Sequence, residues 1–211
     1  MEHIKITHHI VSRETFEKTK QLFEKHEAQL ENYLDQLLWW NKRVNLVSRN
    51  VPRETVEKHV RHSLLLSQLE VFQATDIIVD AGTGGGLPGI PLAIAHPEKQ
   101  FILNDIVSKK CLAMKQIVQT LGLKNVDIFD GSVENLEQQN PFLLISKHAF
   151  KIDELYEMTS HLPWGNIVFY KGLEFEDELK GIDKDLKIEV YDLSKDSEFY
   201  KDKALVVVDL L

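Results

Sequence analysis

The chain has 211 residues, 43% of them hydrophobic, which is enough to bury one good core. Its formal net charge of −8 gives little long-range attraction to a polyanion, so any RNA contact must come from local basic clusters. One cysteine, Cys111, excludes a disulfide framework; with no signal peptide in M-E-H-I-K-I-T-H-H and no apolar run of membrane-spanning length, a cytoplasmic protein that meets no membrane is expected.

Ser12 precedes a helical pattern through Phe16, Leu22 and Phe23, and either Ser12 or Thr15 is placed to cap it. A second pattern runs through Leu30, Leu34, Leu37 and Leu38 to Trp39-Trp40-Asn41, whose tryptophans are expected to pack against the main sheet. Lys42, Arg43, Arg49 and Arg53 then gather the kind of basic surface that RNA requires. Thr55–Leu69 reads as a further helix, with His59 and His62 on one face. No third ligand is signalled beside them, so no metal site is expected.

Ile77–Asp80 is a short β-branched run suited to a buried strand. Gly82, Gly84, Gly85 and Gly86 follow it, and Pro88 stands in the first turn of a helix over Leu87–Ala95. Strand Phe101–Asp105 leads to helix Ser108–Leu121, with Gly122 as its cap. Strand Val126–Asp130 leads to Gly131-Ser132-Val133-Glu134. Phe142–Ser146 is followed by Lys147-His148-Ala149-Phe150 and a helix to His161, and Ile167–Tyr170 by Lys171-Gly172. Ile188–Leu193 and Ala204–Leu210 close the chain as an antiparallel pair. This alternation predicts an α/β fold, a Rossmann-like seven-stranded sheet of the S-adenosylmethionine (SAM)-dependent methyltransferase kind. Residues 1–70 are expected to form an N-terminal helical extension and residues 71–211 a single compact methyltransferase domain.

Two cofactors compete for the glycine turn. Gly84-x-Gly86-x-x-Gly89 satisfies the dinucleotide fingerprint, with Asp105 roughly 20 residues further on. Asp80, Gly82, Gly84 and Gly86 equally spell the D-x-G-x-G-x-G loop of SAM enzymes. A carboxylate before the first glycine opposes a dinucleotide's phosphates and suits the cationic amino and sulfonium groups of SAM, so SAM is expected; a ligand-free turn is the bland alternative. Asp105, ending its strand, can accept from the hydroxyls of a ribose or simply cap the next helix. A backbone N–H at Val133 or Glu134 can read an adenine, unless Glu134 merely opens a helix.

The run A-G-T-G-G-G-L-P-G-I-P-L-A-I resembles the SAM loop of the small-subunit ribosomal RNA guanine-N7 methyltransferase family (RsmG, also glucose-inhibited division protein B). Pro88 and Pro91 are its most particular members. Asn41-x-x-x-Asn45-Leu46, Asp105-x-x-x-Lys109-Lys110 and Tyr170-Lys171-Gly172 are similar to further motifs of that family, so the likeness spans roughly Leu37 to Gly172. It implies methyl transfer from SAM to N7 of a guanine in 16S ribosomal RNA, presented in the small ribosomal subunit, by a monomer that needs no metal. The implied SAM contacts are Gly82, Leu87, Val133 and Glu134, beside Asp80, Gly84, Gly86 and Asp105. The implied RNA contacts are Asn41, Arg43, Asn45, Lys109, Lys110 and Lys171.

The substrate half departs from the family pattern. R-H-x-x-D-S becomes Lys58-His59-x-x-His62-Ser63, and S-R-A-F becomes Lys147-His148-Ala149-Phe150. An F-D strand start becomes Phe142-Leu143, and Ser132 replaces an arginine. A diverged SAM-binding or RNA-binding protein without activity, or a methyltransferase with another RNA target, is therefore the alternative. His148 and Lys147 are the candidate catalytic residues. A histidine at its ordinary pKa of about 6.5 predicts activity that rises as pH falls towards about 6. The competing account gives the charge to Lys147 and leaves His148 as a packing residue.

Overall fold

A computed structural model describes residues 4–210; Met1–His3, part of the stretch read for a leader, and Leu211 lie outside the described residues. The chain opens with strand β1 (Ile4–Ile10), then helices α1 (Arg13–Lys25), α2 (Glu27–Asn41), α3 (Arg53–Leu64) and the short α4 (Glu70–Gln73). There follow β2 (Ile77–Ala81), α5 (Gly89–Ala95), β3 (Gln100–Asp105), α6 (Ser108–Leu121) and β4 (Val126–Asp130). The rest is β5 (Phe142–Lys147), α7 (Ile152–Thr159), β6 (Trp164–Gly172), β7 (Leu186–Asp192) and β8 (Lys203–Leu210). Local chemistry sets the ends of these elements. Ser12 Oγ accepts from the Thr15 N–H at the start of α1, and Gly122 closes α6 in a left-handed conformation at φ +67°.

The strands form one sheet in the order β1-β7-β8-β6-β5-β2-β3-β4. β8 is antiparallel to β6 and β7, and the other neighbours are parallel. The sheet thus has eight strands rather than the seven expected. The addition is β1, which runs beside β7 from Ile4↔Leu186 to Ile10↔Asp192. Its Ile4 and Ile6 pack on the core, but the alternation stops at His8-His9 and Ile10 is exposed, so a half-solvated edge strand left a weak pattern.

Alternation divides the core between the two sheet faces. Leu143, Ile145, Val168, Tyr170, Leu205 and Val207 join the cluster that includes the buried faces of α1–α3, α5 and α6. Phe142, Leu144, Ile167, Phe169, Val206 and Val208 join the other, with Ile152 and Leu155 of α7. The chain steps outward from β2 to β3 and β4, then returns to the other side of β2 as β5. That reversal opens a crevice at the carboxyl ends of β2 and β5, where open α/β sheets bind ligands. No helix among the described residues is long and apolar enough to cross a membrane.

Candidate active site

The glycine turn leaves β2 at this crevice and is tied down on three sides. Asp80 is fully buried in β2, and its Oδ2 accepts from Thr83 Oγ1 at 2.7 Å and from the Gly89 N–H at 2.8 Å. The carboxylate therefore staples the strand to the first turn of α5. Burial pushes its pKa up to about 7, against the two hydrogen bonds and the charge of Lys147. Its other oxygen, Oδ1, has no partner among the described residues. Tyr33 of α2 donates to the Gly85 carbonyl at 3.0 Å, and Thr83 N–H to the Asn104 carbonyl at 2.9 Å. Gly82, at φ +69°, passes so near the loop after β5 that a Cβ would lie 2.5 Å from that of Ala149.

Asp105 ends β3 beside the turn. One carboxylate oxygen accepts from the Gly84 N–H at 3.1 Å, with Lys110 Nζ at 3.5 Å, and the other accepts from the Val107 N–H at 2.9 Å. It thus caps the local backbone beside the glycine turn, the second of the two roles read for it. Ile106 and Val107, which the sequence reading passed over, are 72% and 42% exposed next to it. Buried Asn104 donates to the carbonyls of Phe129 and Gly131, which fixes the turn carrying Val133 and Glu134. Val133 is buried and Glu134 accepts from Ser132 Oγ.

A cavity of about 400 Å³ lies over the turn, lined among others by Gly82, Gly84, Leu87, His59, Lys147 and His148. Lys147, at the end of β5, places Nζ 3.1 Å from Nδ1 of His59 on α3. Burial lowers the lysine to about 8, opposed by Asp80 and assisted by Lys203. His59 is lowered to about 4 by burial and by Lys147, His148 and Lys203, so the ammonium donates to a neutral imidazole. His148 is exposed and sits at φ +58°; partial burial, with Lys147, Lys171 and Lys203, lowers it to about 4. A histidine lowered in this way lends no support to the expected rise of activity towards pH 6. Lys147, lowered to about 8, is the cation that this cavity keeps at neutral pH. His59 was missed because 88 residues separate it from Lys147 and only the packing of α3 on the sheet joins them.

His62, where the family pattern has an acid, is fully buried against Tyr170, Phe199 and Tyr200. Neither ring nitrogen has a partner among the described residues, and no group of three or more potential metal ligands occurs there. Burial holds its pKa well below the usual imidazole range. The unfolded chain therefore takes up its proton first as pH falls below about 6.5, and stability drops with it. His62→Leu is expected to raise stability by about 1 kcal/mol at neutral pH, since an unpaired buried polar group is removed. It should also flatten the acid slope by up to about 1.4 kcal/mol per pH unit below 6.5. Urea unfolding at pH 7.5 and 5.5 measures both; a less stable variant with an unchanged slope would mean that His62 has a partner.

The residues read as RNA contacts divide into two groups. Lys109 is exposed on α6, and Lys110 stands beside Asp105. Arg43 lies over the Trp39 ring, and Asn45 accepts from Arg49 Nε at 3.1 Å. Asn41 instead organises the loop after α2: its Oδ1 accepts from the Leu46 and Val47 N–H groups, and its Nδ2 donates to the Ser48 carbonyl. Lys171, with a side chain 12% exposed, is bonded to Glu178 and to the Phe150 carbonyl, which holds the loop after β5 in place. Arg53, from the same basic surface, is bonded to Glu31 and Asp35.

The geometry agrees with comparisons to known proteins. A relative from Chlorobium limicola called ribosomal RNA small subunit methyltransferase G is 34% identical over 98% of this chain and 96% of its own. One of the same name from Vibrio campbellii is 39% identical over 74% of each chain. Among solved structures, an O-methyltransferase from Bacillus cereus in complex with SAH superposes with a TM-score of 0.56 at 17% identity, over 84% of this chain and 90% of that one. A Klebsiella pneumoniae putative O-methyltransferase gives 0.59 at 15%, over 84% and 89%; both show the fold. The GidB family model, described as rRNA small subunit methyltransferase G, matches residues 26–205, and the chain belongs to that family.

Proposed function

We propose that the protein transfers a methyl group from SAM to N7 of a guanine in 16S ribosomal RNA of the small subunit, acting as a cytoplasmic monomer without a metal ion. One observation carries this reading: the glycine turn and the Lys147–His59 pair meet over one cavity at the switch point of the sheet. The residues fit SAM. Gly82, Gly84 and Leu87 line the cavity, the exposed Ile106 and Val107 offer an apolar face beside Asp105, and the buried Asp80 holds the turn from behind. Gly84, Gly86 and Leu87 would line the methionine end, Asp105 would take the ribose hydroxyls, and backbone at Val133 and Glu134 the adenine.

When bound, SAM supplies an electrophilic methyl on a sulfonium. Guanine N7 carries a lone pair and no proton, so the chain has to position the base rather than deprotonate it. On that edge of guanine, O6 is the acceptor next to N7. Lys147, held by His59, can donate to O6 while leaving N7 free. Neutral His148, on the rim, shapes the entrance for the base.

The substrate is expected to be the ribosomal particle. Transfer of radiolabelled methyl to small subunits lacking the modification should exceed transfer to a short naked hairpin of the same sequence by about tenfold or more, because the chain's net charge is −8. Equal labelling of the two substrates would contradict presentation by the particle, and labelling of neither would overturn the proposed activity.

A further inference from the structure

Trp39 is 48% exposed near the end of α2, whereas Trp40 packs on the core and Trp164 is buried. A large indole half in water is what a binding surface shows, and its surroundings indicate for what. Arg43 donates to the Trp39 carbonyl at 2.9 Å, and its guanidinium carbon lies 3.5 Å from the centre of the ring, which makes a rigid stacked pair. A groove of about 670 Å³ adjoins it, lined by Lys42, Arg43, Asn45, Arg49 and Val51 among others. Val51 also lines the cavity that holds Lys147, so groove and cavity are neighbours.

The charges of this groove are unlike those around it. Arg53, Lys58 and Arg61 are matched by Glu31 and Asp35, Glu54 and Glu57. Lys42, Arg43 and Arg49 have no acidic partner among the described residues, and Arg49 bonds only to the amide of Asn45. Asn41 holds the loop that carries them. Three unmatched cations beside an exposed aromatic, in an acidic chain, form the combination that binds single-stranded nucleic acid: cations for phosphates and a flat face for an unpaired base.

We infer that Trp39, backed by Arg43, is the stacking platform for an unpaired base of ribosomal RNA flanking the target guanine, with Lys42, Arg43 and Arg49 holding the backbone that leads into the cavity. The inference rests on the proposed RNA substrate, but binding tests it without turnover. Trp39→Ala should weaken binding of a labelled single-stranded RNA heptamer at low salt about tenfold, with Trp39→Phe keeping most of the affinity. S-adenosylhomocysteine affinity should be unchanged in both. In a Trp40→Phe/Trp164→Phe background, fluorescence of the remaining Trp39 should be quenched by the heptamer and not by the same sequence as a duplex. Lys42→Ala should reduce the salt slope by about one. Unaltered heptamer affinity in Trp39→Ala, or no quenching in a folded single-tryptophan protein, overturns the inference. Loss of small-subunit binding with heptamer binding intact overturns it in favour of a ribosomal protein on this face. Heptamer binding lost on Trp39→Ala in a protein that transfers no methyl would sustain the platform while rejecting the proposed activity.

Discussion

Replacing Lys147 with methionine is expected to lower kcat/KM for the small subunit by about a hundredfold or more, with cofactor affinity within about threefold of wild type. Removing one preorganised donor from an enclosed site has an effect of this order. Methionine keeps the length of the side chain, so the loss isolates the ammonium that His59 receives at 3.1 Å. The same group sets the pH dependence. Lys147 is charged below about 8 and loses its proton above, so wild-type activity should fall as pH rises through about 8. His59 and His148, both near 4, stay neutral from pH 6 to 9 and contribute nothing there. The remaining groups facing Lys147 are His62, Lys203 and Asp80; Asp80 titrates near 7, on the acid side of this fall. Lys147→Arg should remove the alkaline fall because arginine stays charged. A profile that keeps its fall in Lys147→Arg, or that changes with His148→Ala alone, would put the charge on the other neighbour.

Gly89→Ala should abolish cofactor binding and cost about 1–3 kcal/mol of stability, the range for overpacking a filled core. An added Cβ would lie 2.1 Å from Leu103 Cδ2 and 2.9 Å from Asp80 Oδ2. Leu103 is fully buried in β3, and Asp80 already holds Thr83 and Gly89. Relief of the clash has to come from the staple that shapes the glycine turn, so stability and binding fall together. Gly165→Ala is the control: among the described residues, none beyond its two chain neighbours has an atom within 4 Å of the added Cβ, and its effect should stay within about 0.5 kcal/mol. Thermal unfolding and calorimetric titration with S-adenosylhomocysteine measure both quantities. A Gly89→Ala protein that binds normally would show that α5 can move away from β3 at little cost.

The parts of the site that were legible in the sequence are those with local causes. The β-branched run of β2, the glycines after it and the acid ending β3 place the crevice, because strand, turn and helix each depend on a few neighbouring residues. Side-chain direction was not legible. Asp80 reads as a cofactor-side carboxylate, yet one of its oxygens faces inward to Gly89, a contact set by how α5 packs on β2. Lys171 reads as a cation for RNA, and only the chain's turn after β6 brings Glu178 to it. His148 has an ordinary pKa in an isolated peptide; partial burial, and then three lysines from separate strands, lower it. The tryptophan pair reads as core, and the helix end turns Trp40 inward and leaves Trp39 out.

The central claim is that this site delivers methyl to N7. Small subunits from cells lacking the modification, methylated by the purified protein with labelled SAM, should yield RNA that borohydride reduction and aniline cleave at one labelled guanine, since only N7-methylation opens that base to the treatment. Label that survives in uncleaved RNA, on an amino group or a ribose, would contradict the account.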